Sequence, residues 1–233
     1  MNPDNSVIKN EHLLSDTRPG EEWGIITGPT VKTSKTADPR FWVVDNFYEN
    51  PDDLREYALL QDYYPGEGAV GSRTRKQYLF DGLKERFEEI MQIKIADHTP
   101  GGTGWFDEGI NGRFQSCKAD TPMVFHCDSQ QWAAVLYLTP DAPTQSGTSF
   151  YKHKASGARH GSEIGAAYEQ GHEVFNGHTY LDPTPYERVD TVGNVYNRLV
   201  IFDGQLIHSG NDYFGWDFPS SRFFQIFFFD EAK

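Results

Sequence analysis

The sequence predicts a mainly β domain with flanking helices, an α+β fold built around a jelly-roll or cupin-like barrel. From about residue 113 onward, apolar runs of strand length are separated by Gly, Pro, Asp and Asn. Aromatic residues make up 15% of the chain beside 22 glycines and 13 prolines, which suits strands and tight turns better than a helical bundle. Two helical patterns precede the strand-rich part, and 233 residues suffice for one domain with a full core.

Residues 1–37 are polar, carry Pro3, Pro19 and Pro29 and show no sustained period, so they read as an N-terminal arm. A single domain over 38–233 follows, with helical support over about 38–105, a barrel core over about 110–233 and an insert over about 153–196. Phe41 to Val44 has strand composition. Asn50-Pro51-Asp52-Asp53 then starts a helix, with Asn as cap and Pro in the first turn. Gly82 to about Ile95 repeats the helical pattern, with Leu83, Phe87, Ile90 and Met91 on one face. The candidate strands are Phe114–Lys118, Val124–Cys127, Trp132–Thr139, Thr148–Lys152, Arg198–Phe202 and Arg222–Phe229. The insert is polar and too long for a hairpin loop, with Glu163 to Tyr168 as a short helix; it and the arm are expected to form the rim of the site. Tyr151, Arg159, Tyr168, Tyr180 and Arg188 are its available contacts.

A net charge of −13 argues against a phosphate backbone as partner, so no nucleic acid is expected. No stretch reaches the roughly 18 apolar residues of a membrane span, and Phe223 to Phe229 is of strand length and contains Gln225. Residues 1–20 lack the apolar run of a signal peptide, and Cys117 and Cys127 make no disulfide framework, so a reducing, cytoplasmic setting is expected. Gly101-Gly102-Thr103-Gly104 has neither dinucleotide spacing nor a P-loop lysine and reads as a turn. His153, His160, His172 and His178 lack cysteine partners and ligand spacing and read as solvated loop residues.

The chemistry concentrates in His126-Cys127-Asp128 and, 82 positions later, His208. On a strand, His126 and Asp128 share a face and Cys127 turns away into apolar surroundings. Two imidazoles and one carboxylate are the facial triad of non-haem Fe(II) oxygenases, which leaves the opposite face of the octahedron open. Fourteen residues after His208, Arg222 opens an otherwise apolar strand, where a guanidinium is costly to bury unless a fixed anion meets it. From these residues alone three readings stand: an oxygenase, a non-oxygenase cupin-like barrel that binds metal or another ligand, and an interaction protein without metal.

His126-x-Asp128, Val135-Leu136-Tyr137-Leu138, Ser146-Gly147-Thr148-Ser149-Phe150, Asn197 to Phe202, His208 and Arg222 stand in an order that resembles the 2-oxoglutarate/Fe(II)-dependent dioxygenases of the prolyl-hydroxylase type, over about residues 110–230. Phe41 to Tyr57 is similar to the start of that superfamily's domain, and the chain resembles an uncharacterised subgroup found in bacteria and their phages. The resemblance implies a double-stranded β-helix, with Fe(II) on His126, Asp128 and His208 and the distal carboxylate of 2-oxoglutarate on Arg222. It further implies Tyr137 sharing that carboxylate, Gln115 as a further polar contact, Thr148 near the pocket, O2 as oxidant and ascorbate as a candidate reductant. The expected reaction hydroxylates an unactivated C–H bond of a peptide (prolyl-type) or small-molecule substrate, releasing succinate and CO2. Asp128 separates the chain from related halogenases, which have a small residue there. If phage-encoded, the protein would work in the host cytoplasm. Serine at 146 and the long interval from His208 to Arg222 depart from the family pattern.

Overall fold

The computed structural model describes residues 7–8, 25–26, 41–65, 70–175 and 181–233. The first four form a two-residue antiparallel ladder, β1 (Val7–Ile8) on β2 (Ile25–Ile26). The rest of the expected arm, together with His178 and Tyr180 of the expected insert, lies outside the described residues.

Two antiparallel sheets make the body. Seven strands build the larger: β3 (Phe41–Val44), β4 (Tyr63–Pro65), β5 (Ser72–Thr74), β6 (Arg113–Cys117), β7 (Trp132–Tyr137), β10 (Leu199–Asp203) and β12 (Arg222–Phe229), in the order β3-β10-β7-β12-β6-β5-β4. The smaller contains β8 (Thr148–His153), β9 (Tyr186–Val192) and β11 (His208–Gly210) in the order β11-β8-β9. A bridge from His126 to His208 adds the 124–128 segment beside β11. From β6 onward the chain alternates between sheets: β6, then the His126 segment, then β7, then β8 and β9, then β10, β11 and β12. That winding is the jelly roll, a double-stranded β-helix, as expected.

Strand alternation sorts the side chains into layers. On β12, Phe223, Phe227 and Phe229 face the helices, whereas Phe224 and Ile226 face the smaller sheet. On β7, Ala134 and Leu136 go one way and Ala133 and Tyr137 the other. The sheets meet through Phe41 stacked on Phe150 at 5.5 Å and Phe150 edge-on to Phe202 at 5.3 Å.

The outer face of the larger sheet is covered by α1 (Pro51–Leu59) and α2 (Leu83–Met91). Pro51 stands at the start of α1 with Asp52 and Asp53 in its first turn, where fixed φ and negative charge suit a helix N-terminus. Asn50 occupies the cap position, but its side chain makes no capping hydrogen bond. The α2 face predicted from spacing is buried: Phe87 packs its ring within 6 Å of Phe47, Trp105, Phe227 and Phe229. Gln92 in the left-handed region ends that helix.

The segment read as a polar insert divides into different parts. Its α3 (Gly161–Glu169) helps cover the outer face of the smaller sheet, where Phe125, Tyr151, Tyr186 and Ile207 are buried with Ala167. Its last part is β9, a strand of the jelly roll itself. β9 alternates polar and charged residues with only Tyr186 and Val192 fully buried, so its sequence lacks the apolar run that marks the other strands. Two of the insert's histidines are structural rather than solvated: His153 is buried against Ser156, and His160 caps α3 in a capping box with Glu163.

Candidate active site

His126 and His208 are directly opposed across two antiparallel segments. The His126 N–H donates to the His208 carbonyl at 3.1 Å, and the His208 N–H returns a bond to the His126 carbonyl at 2.9 Å. Such a pair shares one face, and the ring centroids lie 4.3 Å apart. In each ring Nδ1 contacts a carbonyl two residues upstream, Val124 O at 3.0 Å and Leu206 O at 2.8 Å. A carbonyl only accepts, so Nδ1 carries the hydrogen and Nε2 presents a lone pair.

Asp128 is held beside them by its backbone. Its N–H donates to Gly204 O at 2.7 Å and its own carbonyl accepts from Gln205 Nε2. Gly204 is required here, since a Cβ would fall 2.7 Å from Gln130 O and 3.2 Å from the Asp128 Cβ. The carboxylate lies 3.5 Å from His126 Nε2 through Oδ1 and 3.3 Å from His208 Nε2 through Oδ2. One donor atom from each residue lies within 4.8 Å of the other two. Neighbouring ligands at about 2.1 Å from an octahedral ion stand about 3 Å apart, so the set needs little movement to close on a cation. Asp128 Oδ2 is buried and, among the described residues, has no hydrogen-bond partner. A buried carboxylate oxygen facing two imidazole lone pairs fits a divalent metal.

The charges agree with that fit. Burial pushes the Asp128 carboxyl up, but the two histidines, which in the absence of a metal ion attract it in their protonated forms, outweigh this and hold it well below the ordinary carboxylate range. Burial pulls His126 down, and Asp128 more than offsets this, leaving it raised. Cys127 packs with the apolar cluster on the outer face of the smaller sheet, and burial keeps its thiol protonated, pushed up to about 12. Cys127 also borders the cavity, so it stands between that cluster and the site.

The triad lines a cavity of about 1070 Å³ between the sheets, and Arg222 lines it too. Arg222 is 2% exposed, with Cζ 4.4 Å from the Phe224 ring and 5.5 Å from the Tyr213 ring. Its Nε donates to Ser146 O at 2.8 Å and one terminal nitrogen to Gly147 O at 3.3 Å. Among the described residues no acidic side chain pairs with it. Burying a guanidinium without a counter-ion is expensive, so this one is preset for an anion that enters the cavity.

Other sequence-predicted residues land differently. Tyr137 faces the inner layer with its ring 5.3 Å from the Arg222 Cζ, but it is fully buried outside the cavity wall, its hydroxyl 2.9 Å from Thr148 Oγ1. Thr148 reaches the cavity in its place. Gln115 lines the cavity but is engaged, accepting from Arg73 Nε at 2.7 Å and donating to Val70 O at 2.7 Å. Of the expected contacts, Tyr151 on β8, Arg159 just before α3, Tyr168 on α3 and Arg188 on β9 stay off the cavity wall; Phe175 and Leu181 line it instead. Sequence reasoning missed Arg73 and Tyr213, both cavity residues. The signal for Tyr213 was its place in the His208–Arg222 interval; Gly210 makes room for its ring, with a Cβ there 2.9 Å from the Tyr213 hydroxyl.

No helix among the described residues is long and apolar enough to cross a membrane. No curated protein matches the chain. The fold is similar to that of HygX from Streptomyces hygroscopicus with nickel and 2-oxoglutarate bound, at 12% identity and a TM-score of 0.47, covering 82% of this chain and 83% of that one. A HygX structure with nickel, 2-oxoglutarate and hygromycin B bound gives 12% identity and a TM-score of 0.44 over the same shares. Residues 28–212 match the model of the family of unknown function DUF6445, and the chain belongs to that family.

Proposed function

We propose that the protein is a 2-oxoglutarate- and Fe(II)-dependent oxygenase that hydroxylates an unactivated C–H bond of a small-molecule or peptide substrate. The observation that carries this reading is the pairing, in one cavity, of a cation site with an anion site. Among the described residues, Asp128 offers a buried oxygen without a hydrogen-bond partner beside two imidazole nitrogens, and Arg222 offers a buried guanidinium without an acidic partner. A dicarboxylate with a 2-oxo group is the kind of molecule that spans such a pair, one end on the metal and the other on the arginine. A metal-binding barrel without a cosubstrate would leave the cost of burying Arg222 without a return.

His126, Asp128 and His208 would hold the iron, the two Nδ1–H bonds fixing the imidazole orientation and Gln205 fixing the aspartate backbone. Arg222 would bind the distal carboxylate, steered by the Ser146 and Gly147 carbonyls and screened from water by Phe224 and Tyr213. The Thr148 hydroxyl, backed by Tyr137, adds a polar contact on the same wall. When bound, iron with 2-oxoglutarate supplies the oxidising power: O2 is consumed, the 2-oxo acid leaves as succinate and CO2, and C–H becomes C–OH. The test is succinate formation by the iron-loaded protein from 2-oxoglutarate under air, with ascorbate keeping iron reduced. Oxygen-dependent succinate supports the reading; iron-loaded protein that forms none with any substrate offered refutes it.

A further inference from the structure

Arg73 has no part in the arrangement just described, yet it lines the same cavity. It lies on β5 directly opposite Gln115 on β6, and Gln115 lies opposite Phe224 on β12. A row therefore runs across the inner face of the larger sheet from Phe224, whose ring lies against the Arg222 guanidinium, through Gln115 to Arg73. Gln115 accepts from Arg73 Nε, and its own amide is fixed by Val70 O. This uses the inner edge of the guanidinium and sets its plane. The two terminal nitrogens make no hydrogen bond to any described residue. Burial, as the largest influence, lowers the pKa of Arg73 from the ordinary arginine value. Arg73 and Arg222 both act electrostatically on Cys117, the cross-strand neighbour of Arg222, and Arg73 also acts on Asp128 and His126, so its charge reaches the triad.

A half-buried guanidinium with its orientation fixed and its forked end free is a receptor for a planar anion. Resting on the oxygenase reading, which assigns Arg222 to the cosubstrate, we propose that Arg73 receives a carboxylate of the substrate and so sets which C–H bond is presented to the triad. One carboxylate is the match in charge, because Arg73 and Arg222 are the only lysine or arginine residues among the described cavity-lining residues. The body of the substrate is apolar, because Val70, Ile110, Pro122, Phe175 and Leu181 line the same cavity. At about 1070 Å³ the cavity has room for such a molecule beside a small dicarboxylate.

The test uses the full chain loaded with Mn(II) in place of iron, so that nothing turns over, and 2-oxoglutarate. N-acetyl-leucine, N-acetyl-phenylalanine and related N-acetylated amino acids are titrated in beside their C-terminal carboxamides, with binding followed by calorimetry. Carboxylates are expected to bind about tenfold or more tightly than the amides. Arg73→Gln should erase that preference while 2-oxoglutarate affinity stays within about threefold, and Arg73→Lys should restore part of it. Gln115→Leu, which keeps the charge and removes its anchor, should weaken the preference, and a thermal melt of each variant reports its folding. Equal binding of acids and amides, no binding by any acid, or a preference that survives Arg73→Gln in folded protein overturns the proposal. Loss of 2-oxoglutarate binding in Arg73→Gln also overturns it, by assigning Arg73 to the cosubstrate. Wild-type protein that binds Mn(II) but not 2-oxoglutarate refutes the oxygenase reading instead.

Discussion

Arg222→Gln separates the anion site from the metal site. In the wild type, two carbonyls engage Nε and one terminal nitrogen, leaving the remaining donors of a 2%-exposed guanidinium for an incoming carboxylate. Truncating one partner of a buried, hydrogen-bonded charge pair costs about 2–5 kcal/mol, much of it from leaving the other charge desolvated. The 2-oxoglutarate Kd should therefore rise about 30- to several thousand-fold, at about 1.4 kcal/mol per decade. Metal affinity should stay within about threefold, because none of the three candidate ligands touches the guanidinium. Without 2-oxoglutarate the variant should melt within a few degrees of wild type, since the two lost carbonyl bonds are offset by removing a buried charge that has no acidic partner among the described residues. Calorimetry of 2-oxoglutarate into Mn(II)-loaded protein, with a parallel Mn(II) titration, reads both numbers. Unchanged 2-oxoglutarate affinity in a folded, metal-binding variant would refute the assignment of Arg222.

Glu88 tests the support layer: burial raises its carboxyl, but Lys84, Lys94 and the Ile95 N–H outweigh this and bring it down to about 2. A depressed carboxyl contributes stability that is complete above its unfolded value and is lost as pH falls through the folded one. Glu88→Gln should thus cost about 2 kcal/mol at neutral pH, discounted for the solvent-exposed Lys94. In urea unfolding the gap to wild type should shrink between about pH 5 and pH 2; a gap that stays constant with pH would count against this. Gly147→Ala should lower stability by about 2–4 kcal/mol and weaken 2-oxoglutarate binding. Its Cβ would fall 1.9 Å from Val192 O, so residue 147 must shift and carry with it its own carbonyl, which accepts from Arg222. A variant with wild-type melting temperature and 2-oxoglutarate affinity would show that this strand end yields without consequence.

Much of the barrel was legible because its strands are apolar on both faces. β7, β10 and β12 are sandwiched between a helix layer and the inner layer, so their sequences stand out as continuous hydrophobic runs. His126 and Asp128 were legible for another reason: a period of two places them on one face whether the segment forms a full strand or, as found, a single bridge. What escaped lies where short-range pattern fails. β5 is three residues inside Ser72-Arg73-Thr74-Arg75-Lys76, a polar string within the stretch expected as helical support, and pairing with β6 is what makes it a strand and places Arg73 on the cavity. β9 is half exposed along its length and reads as polar insert. Gln115 and Tyr137 were expected as cosubstrate contacts, but what each side chain offers depends on hydrogen bonds to Arg73 and Thr148 on other strands, which no short-range pattern displays. Position along a strand predicts the face; only the tertiary partner decides whether a polar group is free.

The central claim, one site that joins a divalent metal and 2-oxoglutarate, is tested most directly by titrating 2-oxoglutarate into the protein without oxygen, with and without Fe(II). The structure predicts one molecule bound per chain with iron present, weak or no binding without it, and loss of the difference in the His126→Ala, His208→Ala double variant. Equal affinity with and without iron, or iron-loaded protein that binds no 2-oxoglutarate, would contradict it.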